Sequence, residues 1–140
     1  MKRIFTFAVA FIFLLAGCRS TESKEDIFKL VEENYGAIIA ACENKDTDAL
    51  LAIDGITKVE ITDGYVLVYC KGTGIAPSSQ DYGFYYSESN EPVAVDCNLD
   101  ILCYAEGLTP EGKGYQCTVG GNTFYTEQIK ETLYFYSNAY

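Results

Sequence analysis

The chain has 140 residues, a formal net charge of −10 and no histidine. Hydrophobic residues make up 49% of the chain and aromatic residues 14%, which is too much apolar surface for a disordered polypeptide. The acidic balance excludes nucleic acid and anionic lipid headgroups as main ligands, and the lack of histidine excludes Ser-His-Asp and Cys-His catalysis and most zinc sites.

Residues 1–17 have the pattern of a lipoprotein signal peptide. Lys2 and Arg3 precede an almost unbroken apolar run over residues 4–16, which is too short to span a bilayer. The run ends in Leu-Ala-Gly before Cys18, whose thiol is the group that receives a diacylglyceryl unit. We therefore expect cleavage before Cys18 and a lipid anchor on that cysteine, which would place the protein on the outer face of the cytoplasmic membrane. The alternative is an ordinary secretory peptide with an incidental cysteine.

The mature chain is expected to form one domain on a short tether. Removal of residues 1–17 leaves 123 residues with 8 basic and 20 acidic side chains, a formal charge of −12. Residues 18–26 are interpreted as the lipidated cysteine and a polar tether, and residues 27–140 as a single α+β domain. No second hydrophobic segment follows the signal peptide.

Two helices are predicted first. Apolar residues recur at three- and four-residue steps from Ile27 to Cys42, which predicts an amphipathic helix over about 25–43. Asp46 can cap a second, short helix over 49–52.

The period of the apolar pattern then changes to two. Asp63-Gly64 predicts a two-residue hairpin, with Ile61 opposite Val66 and Val59 opposite Val68. These four residues would share an apolar face, while the reverse face would be a mixed polar and aromatic surface.

The rest of the chain reads as strands and turns. Strands are predicted at 82–86, 93–97, 101–106, 115–119 and 133–136. Residues 71–79 are predicted to be a loop, and turns are predicted at 88–92, at 109–114, where the turn forms a hairpin, and at 120–122. Together the segments predict an α+β fold, in which an N-terminal helix and a short second helix pack on an antiparallel sheet of hairpins.

Five cysteines remain after Cys18, namely Cys42, Cys70, Cys97, Cys103 and Cys117. An odd number cannot all pair within one chain, so at most two disulfides form. If one forms, Cys103 and Cys117 are the expected pair, because they would face each other across the predicted hairpin. The alternative is that all five are reduced and buried.

No sequence motif supports a metal, a cofactor or a catalytic centre. Gly72-x-Gly74 lacks the residues that follow in a phosphate-binding loop. Asp96-x-Asn98-x-Asp100 begins like a calcium loop, but the sixth position is not glycine and the twelfth is not glutamate. Asp96, Asp100 and Glu106 could act as an acid and a base only if the fold fixed their separation.

The remaining signal is aromatic. A flat apolar ring with a polar tip can stack on a sugar or on the side chains of a protein partner. Core packing is the favoured alternative for most of these residues. The candidate binding residues are Tyr65, Tyr69, Tyr82, Tyr85, Tyr86, Tyr134 and Tyr136.

Several segments resemble a group of small exported proteins and lipoproteins of Gram-positive bacteria. The likeness spans roughly residues 55–140 and rests on the Gly72-Thr73-Gly74 segment, the Tyr-Gly-Phe-Tyr-Tyr-Ser sequence at 82–87, Pro92, and the ending Thr-Glu-Gln-Ile at 126–129 with Leu-Tyr-Phe-Tyr at 133–136. The group has no assigned activity, so the resemblance implies a cell-surface location and no catalytic residue. The three cysteines between 97 and 117 depart from its pattern.

Three functional hypotheses follow. The leading one is a non-enzymatic lipoprotein of the cell envelope whose sheet or loop surface binds a protein or a cell-wall glycan. The second is a carboxylate-dependent hydrolase acting on cell-wall polymer, and the third is a purely structural or immunity-type shield.

Overall fold

In this computed structural model the described residues are 24–75, 78–95 and 107–140. Three elements of the sequence analysis lie outside them, namely the signal peptide with Cys18, the calcium-like segment 96–100 and the predicted strand 101–106. Cys97 and Cys103 also lie outside the described residues.

Two helices come first, as predicted. α1 spans Lys24–Glu43 and α2 spans Thr47–Leu51. The Asp46 side chain caps α2 by accepting a hydrogen bond of 3.0 Å from the Ala49 N–H. α1 begins at Lys24, one residue before the predicted start of the helix, so the end of the predicted tether, residues 24–26, is helical.

The described residues contain seven strands, namely β1 (Lys58–Ile61), β2 (Tyr65–Ile75), β3 (Ser78–Ser87), β4 (Thr109–Glu111), β5 (Gly114–Val119), β6 (Asn122–Lys130) and β7 (Leu133–Ala139). They form one antiparallel sheet in the order β1-β2-β3-β7-β6-β5-β4. The predicted α+β architecture, with helices first and an antiparallel sheet after them, is confirmed.

The first hairpin has the predicted register. Val59 lies opposite Val68 and Ile61 opposite Val66, around the Asp63-Gly64 turn. Gly64 has a φ of 95°, which a glycine adopts without steric cost. The reverse face was predicted to be a mixed polar and aromatic surface. Tyr65 and Tyr69 on this face are half-buried and Leu67 is only 2% exposed, so part of this face is buried.

Residues 71–79 were predicted to be a loop, and this is wrong for the described part of the segment. β2 continues to Ile75 and β3 already begins at Ser78, so the glycines of the segment lie in a long hairpin with Gly72 opposite Asp81 and Gly74 opposite Ser79. A register shift between Tyr69 and Lys71 realigns the two strands. Cross-strand hydrogen bonding overrides the low strand propensity of glycine here.

Later segments differ from the prediction in smaller ways. Val93–Val95, the described part of the predicted strand 93–97, is not a strand. Thr109–Glu111, predicted to be a turn, forms the edge strand β4, where the missing N–H of Pro110 is tolerated. The turn is therefore reduced to Gly112-Lys113.

The sheet is buried on both faces. On the helix face, the core side chains of α1 and α2 pack against Val66, Val68, Phe84, Leu133 and Phe135. On the reverse face, a second cluster contains Leu67, Tyr85, Ala94, Val95, Cys117, Phe124, Tyr134 and Tyr136. In a two-layer fold the face of the sheet that is not covered by helices is solvated. Here the reverse face carries a second core instead.

Candidate functional site

The predicted tyrosines do not form one surface. Successive residues of a strand point to opposite faces, so Tyr82 and Tyr86 lie on the helix face. The other members of the set, Tyr65, Tyr69, Tyr85, Tyr134 and Tyr136, belong to the reverse face. Tyr65, Tyr69, Tyr82 and Tyr86 are half-buried.

Tyr85 is part of the second core. Its side chain is fully buried, and its hydroxyl shares a 2.8 Å hydrogen bond with Thr126 Oγ1 and accepts a 3.0 Å bond from the Val93 N–H. Thr126 Oγ1 in turn donates to the Phe135 carbonyl oxygen at 2.8 Å. Burial raises the pKa of the Tyr85 hydroxyl, and the hydrogen bonds from its neighbours only partly oppose this.

Tyr134 and Tyr136 are also core residues. Tyr134 stacks on Tyr85 with ring centroids 5.3 Å apart and donates a 2.9 Å hydrogen bond to the Asn90 carbonyl oxygen. Tyr136 is fully buried and meets Tyr69 edge-on at 6.2 Å. Tyr85, Tyr134 and Tyr136 therefore cannot stack on a ligand, and the predicted aromatic binding plateau is replaced by an aromatic core.

A concave site lies elsewhere, at the beginning of α1. We call it the α1 groove; its volume is about 350 Å³. It is lined by Lys24, Glu25, Phe28, Lys29 and Glu32 of α1, by Lys113 of the β4–β5 turn and by Glu127 of β6. The α1 residues lie on one side of the helix because they recur at steps of about four.

Glu127 is the buried polar centre of the groove. It is 7% exposed, contacts Lys24 Nζ and accepts a 2.7 Å hydrogen bond from the Tyr125 hydroxyl. Burial by itself raises the pKa of Glu127, but the hydrogen bonds from Lys24 and Tyr125 and the charges of Lys24 and Lys113 outweigh it, so the pKa is below its usual value. The carboxyl group of Glu127 is therefore ionised, and the positive charge of Lys24 balances it.

The lysine of this pair also contacts two rings. Lys24 Nζ lies 5.5 Å from the ring centroid of Phe28 and 5.7 Å from that of Tyr125. Burial and the hydrogen bond to Glu127 raise the pKa of Tyr125 to about 12. The network joins the first turn of α1 to a strand more than a hundred residues later in sequence.

The other charged side chains of the α1 groove face solvent. Lys29 has only a 3.9 Å ion pair with Glu33, and Glu25, Glu32 and Lys113 are exposed. Half-buried Phe28 lies among them and supplies the apolar part of the lining. The groove thus combines an aromatic ring, a partly buried ion pair and exposed charges of both signs, which is a lining suited to binding.

None of these groove residues was singled out from the sequence. The sequence does contain a signal for Glu127. The alternation of β6 places Glu127 on the same side of the strand as the apolar Ile129, and a carboxylate buried there needs a charged or hydrogen-bonding partner. The identity of that partner, Lys24, depends on long-range packing.

A second hollow of about 320 Å³ lies at the Pro92 turn. It is lined by Ser89, Glu91, Pro92, Val93, Ala94, Gly107 and Leu108. This lining has no aromatic ring and no buried charged side chain, so no site is argued from it.

The described cysteines fall into two chemical states. Cys117 is disulfide-bonded, whereas Cys42 and Cys70 are thiols buried in the helix-face core. Burial raises the pKa of both thiols to about 12. The predicted Cys103–Cys117 pairing stays a prediction, because Cys103 lies outside the described residues.

Within residues 24–75, 78–95 and 107–140, no group of three or more acidic or cysteine side chains is arranged to hold a metal ion. The same ranges contain no helix that is both long and apolar enough to cross a membrane. Comparison with protein-family models, with curated proteins and with solved structures finds no match to this chain.

Proposed function

We propose that this protein is a lipid-anchored binding protein of the bacterial cell envelope, and that its ligand site is the α1 groove. The anchor is supported by the sequence pattern that ends at Cys18. The observation that carries the site is Phe28, a half-buried ring held among side chains of both charges in a concave surface.

The proposed anchor restricts where the ligand can be. Lys24 is the sixth residue after Cys18, and a chain reaches at most about 3.6 Å per residue, so the groove begins within roughly 22 Å of the bilayer surface. A partner that engages Phe28 would then be membrane-associated, such as the extracellular part of a membrane protein or a lipid-linked glycan.

The groove is small for a protein interface. At about 350 Å³ it has the size of a small-molecule site, so it would accept one or two side chains or one sugar unit of a larger partner. Its charges of both signs argue against a highly charged polymer of a single sign as the ligand.

The hydrolase hypothesis has no supporting observation among the described residues. Glu127 is the buried carboxylate of the groove, and its lowered pKa and ion pair with Lys24 are opposite to what a general acid needs. Asp96, Asp100 and Glu106, the carboxylates considered from the sequence, lie outside the described residues.

The anchor is tested by metabolic palmitate labelling of the native protein and of a Cys18→Ala variant. We expect label and membrane association for the first and loss of both for the second. An unlabelled native protein would overturn the anchor and leave the groove hypothesis standing.

The site is tested by photo-cross-linking in intact cells, with a photoreactive residue at position 113 or at position 45. Lys45 is a matched control because it is also an exposed lysine but follows the far end of α1, about 30 Å from Lys24 along the 20-residue helix. We expect one discrete adduct from position 113 that disappears with Phe28→Ala. Equal adducts from both positions, or an adduct that persists with Phe28→Ala, would refute the site.

A further inference from the structure

We propose that β1 is a self-association edge, through which two copies of this protein pair antiparallel. In this arrangement Val59 lies on the two-fold axis, and Lys58 of each copy lies opposite Glu60 of the other. The inference is independent of the α1 groove.

β1 is an edge strand with hydrogen-bonding capacity to spare. In the sheet of the described residues it lies at one end and pairs with β2 alone. The Thr62 N–H bonds to the Tyr65 carbonyl oxygen at 3.0 Å and closes the hairpin. Because bonded and non-bonded positions alternate along an antiparallel pair, Lys58 and Glu60 direct their backbone groups toward β2, and Val59 directs its N–H and C=O outward.

Two large apolar side chains at or near this edge are exposed to solvent. Ile61 is 40% exposed and Leu51, on the neighbouring helix α2, is 43% exposed. A strand edge with exposed apolar side chains is a template for pairing with another strand. The opposite edge strand, β4, differs in two ways. It contains Pro110, which has no backbone N–H to donate, and all three of its residues are exposed.

A second copy fits this edge because β1 is self-complementary. With Val59 opposite Val59, the central pair exchanges two backbone hydrogen bonds. Lys58 then falls opposite Glu60 of the second copy, twice by symmetry, at the non-bonded positions where side chains approach most closely. A register shifted by one residue in each copy would place Glu60 opposite Glu60, which is repulsive.

Each copy already holds these charges in place. Lys58 Nζ contacts Glu60 and lies 4.9 Å from the Tyr69 ring centroid, and the Tyr69 hydroxyl donates to Glu60 at 3.3 Å. In the dimer, Lys58 of each copy would also face Glu60 of the other copy. These contacts direct both side chains along the reverse face of β1, where a second copy's β1 would meet them.

Four residues from each copy make a small interface, so association in dilute solution is expected to be weak. Confinement to a membrane surface would raise the effective concentration and favour the dimer. That enhancement rests on the proposed lipid anchor, and the tests below use the non-acylated protein so that the two proposals fail separately.

Charge reversal tests the register. Sedimentation equilibrium of the mature protein is measured up to millimolar concentration for the native chain, for Lys58→Glu, for Glu60→Lys and for the double variant. Each single reversal places like charges at two symmetric contacts and should weaken association by about tenfold, and the double reversal should restore it. Lys45→Glu controls for net charge. A monomeric native protein at every concentration, or a double variant as weak as the singles, would overturn the proposal.

Position 59 gives an independent test. Val59→Cys should form an intermolecular disulfide under mild oxidation, because residues on the axis have Cα atoms within bridging distance, whereas Ile61→Cys should not. Val59→Pro should abolish association yet leave the hairpin folded by circular dichroism, since the N–H that is lost points outward. Preferential cross-linking at position 61, or an unchanged dimer with Val59→Pro, would overturn it.

Discussion

The tyrosine hydroxyl at position 85 illustrates how one polar atom is accommodated in an aromatic core. Two groups hydrogen-bond to it, namely Thr126 Oγ1 and the Val93 N–H, and the ring of Tyr85 stacks on that of Tyr134. A buried hydroxyl without partners would be unfavourable, so these neighbours fix the position of Tyr85 and of the segment that crosses over it.

Tyr85→Phe should therefore destabilise the fold by about 1–2 kcal/mol, because Thr126 and Val93 lose a hydrogen-bond partner in a buried site. Tyr86→Phe is the matched control: it lies next to Tyr85 but on the opposite face and half-buried, and should change stability by less than about 0.5 kcal/mol. Urea unfolding measures both. Equal effects of the two substitutions would show that the Tyr85 network contributes little.

Glu127 makes the stability depend on pH. Its pKa is lower in the folded protein than its ordinary value of 4.5, so the ionised form stabilises the fold above that pH, and this contribution is lost as the pH falls through the folded-state pKa. Glu127→Gln should cost about 1–3 kcal/mol at neutral pH, because the charge-assisted bonds from Lys24 and Tyr125 are weakened.

The pH series distinguishes this from a simple packing effect. The stability difference between the native protein and Glu127→Gln should shrink as the pH is lowered below about 4.5, where Glu127 itself becomes neutral. Glu32→Gln removes an exposed carboxylate from the lining of the α1 groove and should have almost no effect at any pH. A difference that stays constant over the acid range would contradict the electrostatic role.

At the scale of elements, the sheet brings its strands into close contact, and Gly83 of β3 permits this near the centre of the sheet. A Cβ on Gly83 would lie 1.9 Å from the Val68 carbonyl oxygen and 2.9 Å from the Tyr136 ring. The contacting atoms are backbone and a buried ring, so they cannot move aside. Gly83 is therefore required by packing, although its neighbours in the strand, at positions 82 and 84–86, are all aromatic.

Gly83→Ala should destabilise the protein by about 3 kcal/mol or more, through overpacking between β2 and β7. Gly36→Ala is the opposite case, because nothing lies within 4 Å of the added Cβ and the site is inside α1. That variant should gain about 0.5–1 kcal/mol from the better helix propensity of alanine. Thermal and urea unfolding report both changes, and a neutral Gly83→Ala would refute the packing argument.

At the scale of the whole molecule, the sheet separates two cores with different cysteine chemistry. The helix-face core contains the reduced Cys42 and Cys70, and the reverse-face core contains the disulfide-bonded Cys117. A buried thiol with a raised pKa holds almost no thiolate, which is the reactive form.

Cys42 and Cys70 should therefore resist alkylation in the native state. At pH 8 the thiolate fraction is very small for a pKa of about 12, and burial also blocks access. Iodoacetamide followed by peptide mass mapping should find neither residue modified in native protein and both modified in guanidinium chloride. Rapid native labelling of Cys42 or Cys70 would mean that the helix-face core opens locally.

Local pattern was sufficient for much of this protein. The 3.6-residue period predicted α1, and the Asp63-Gly64 turn determined the register of the first hairpin, because each depends on residues close together in sequence. The lipid anchor also follows from a local pattern and stays a prediction. Only the tertiary structure decided the rest. The strand pairing of residues 71–75 with 78–82, the burial of Tyr85, Tyr134 and Tyr136, and the meeting of Lys24 with Glu127 all arise from contacts between distant segments. Such contacts depend on which faces the sheet buries, and no local pattern specifies that a sheet will be covered on both sides.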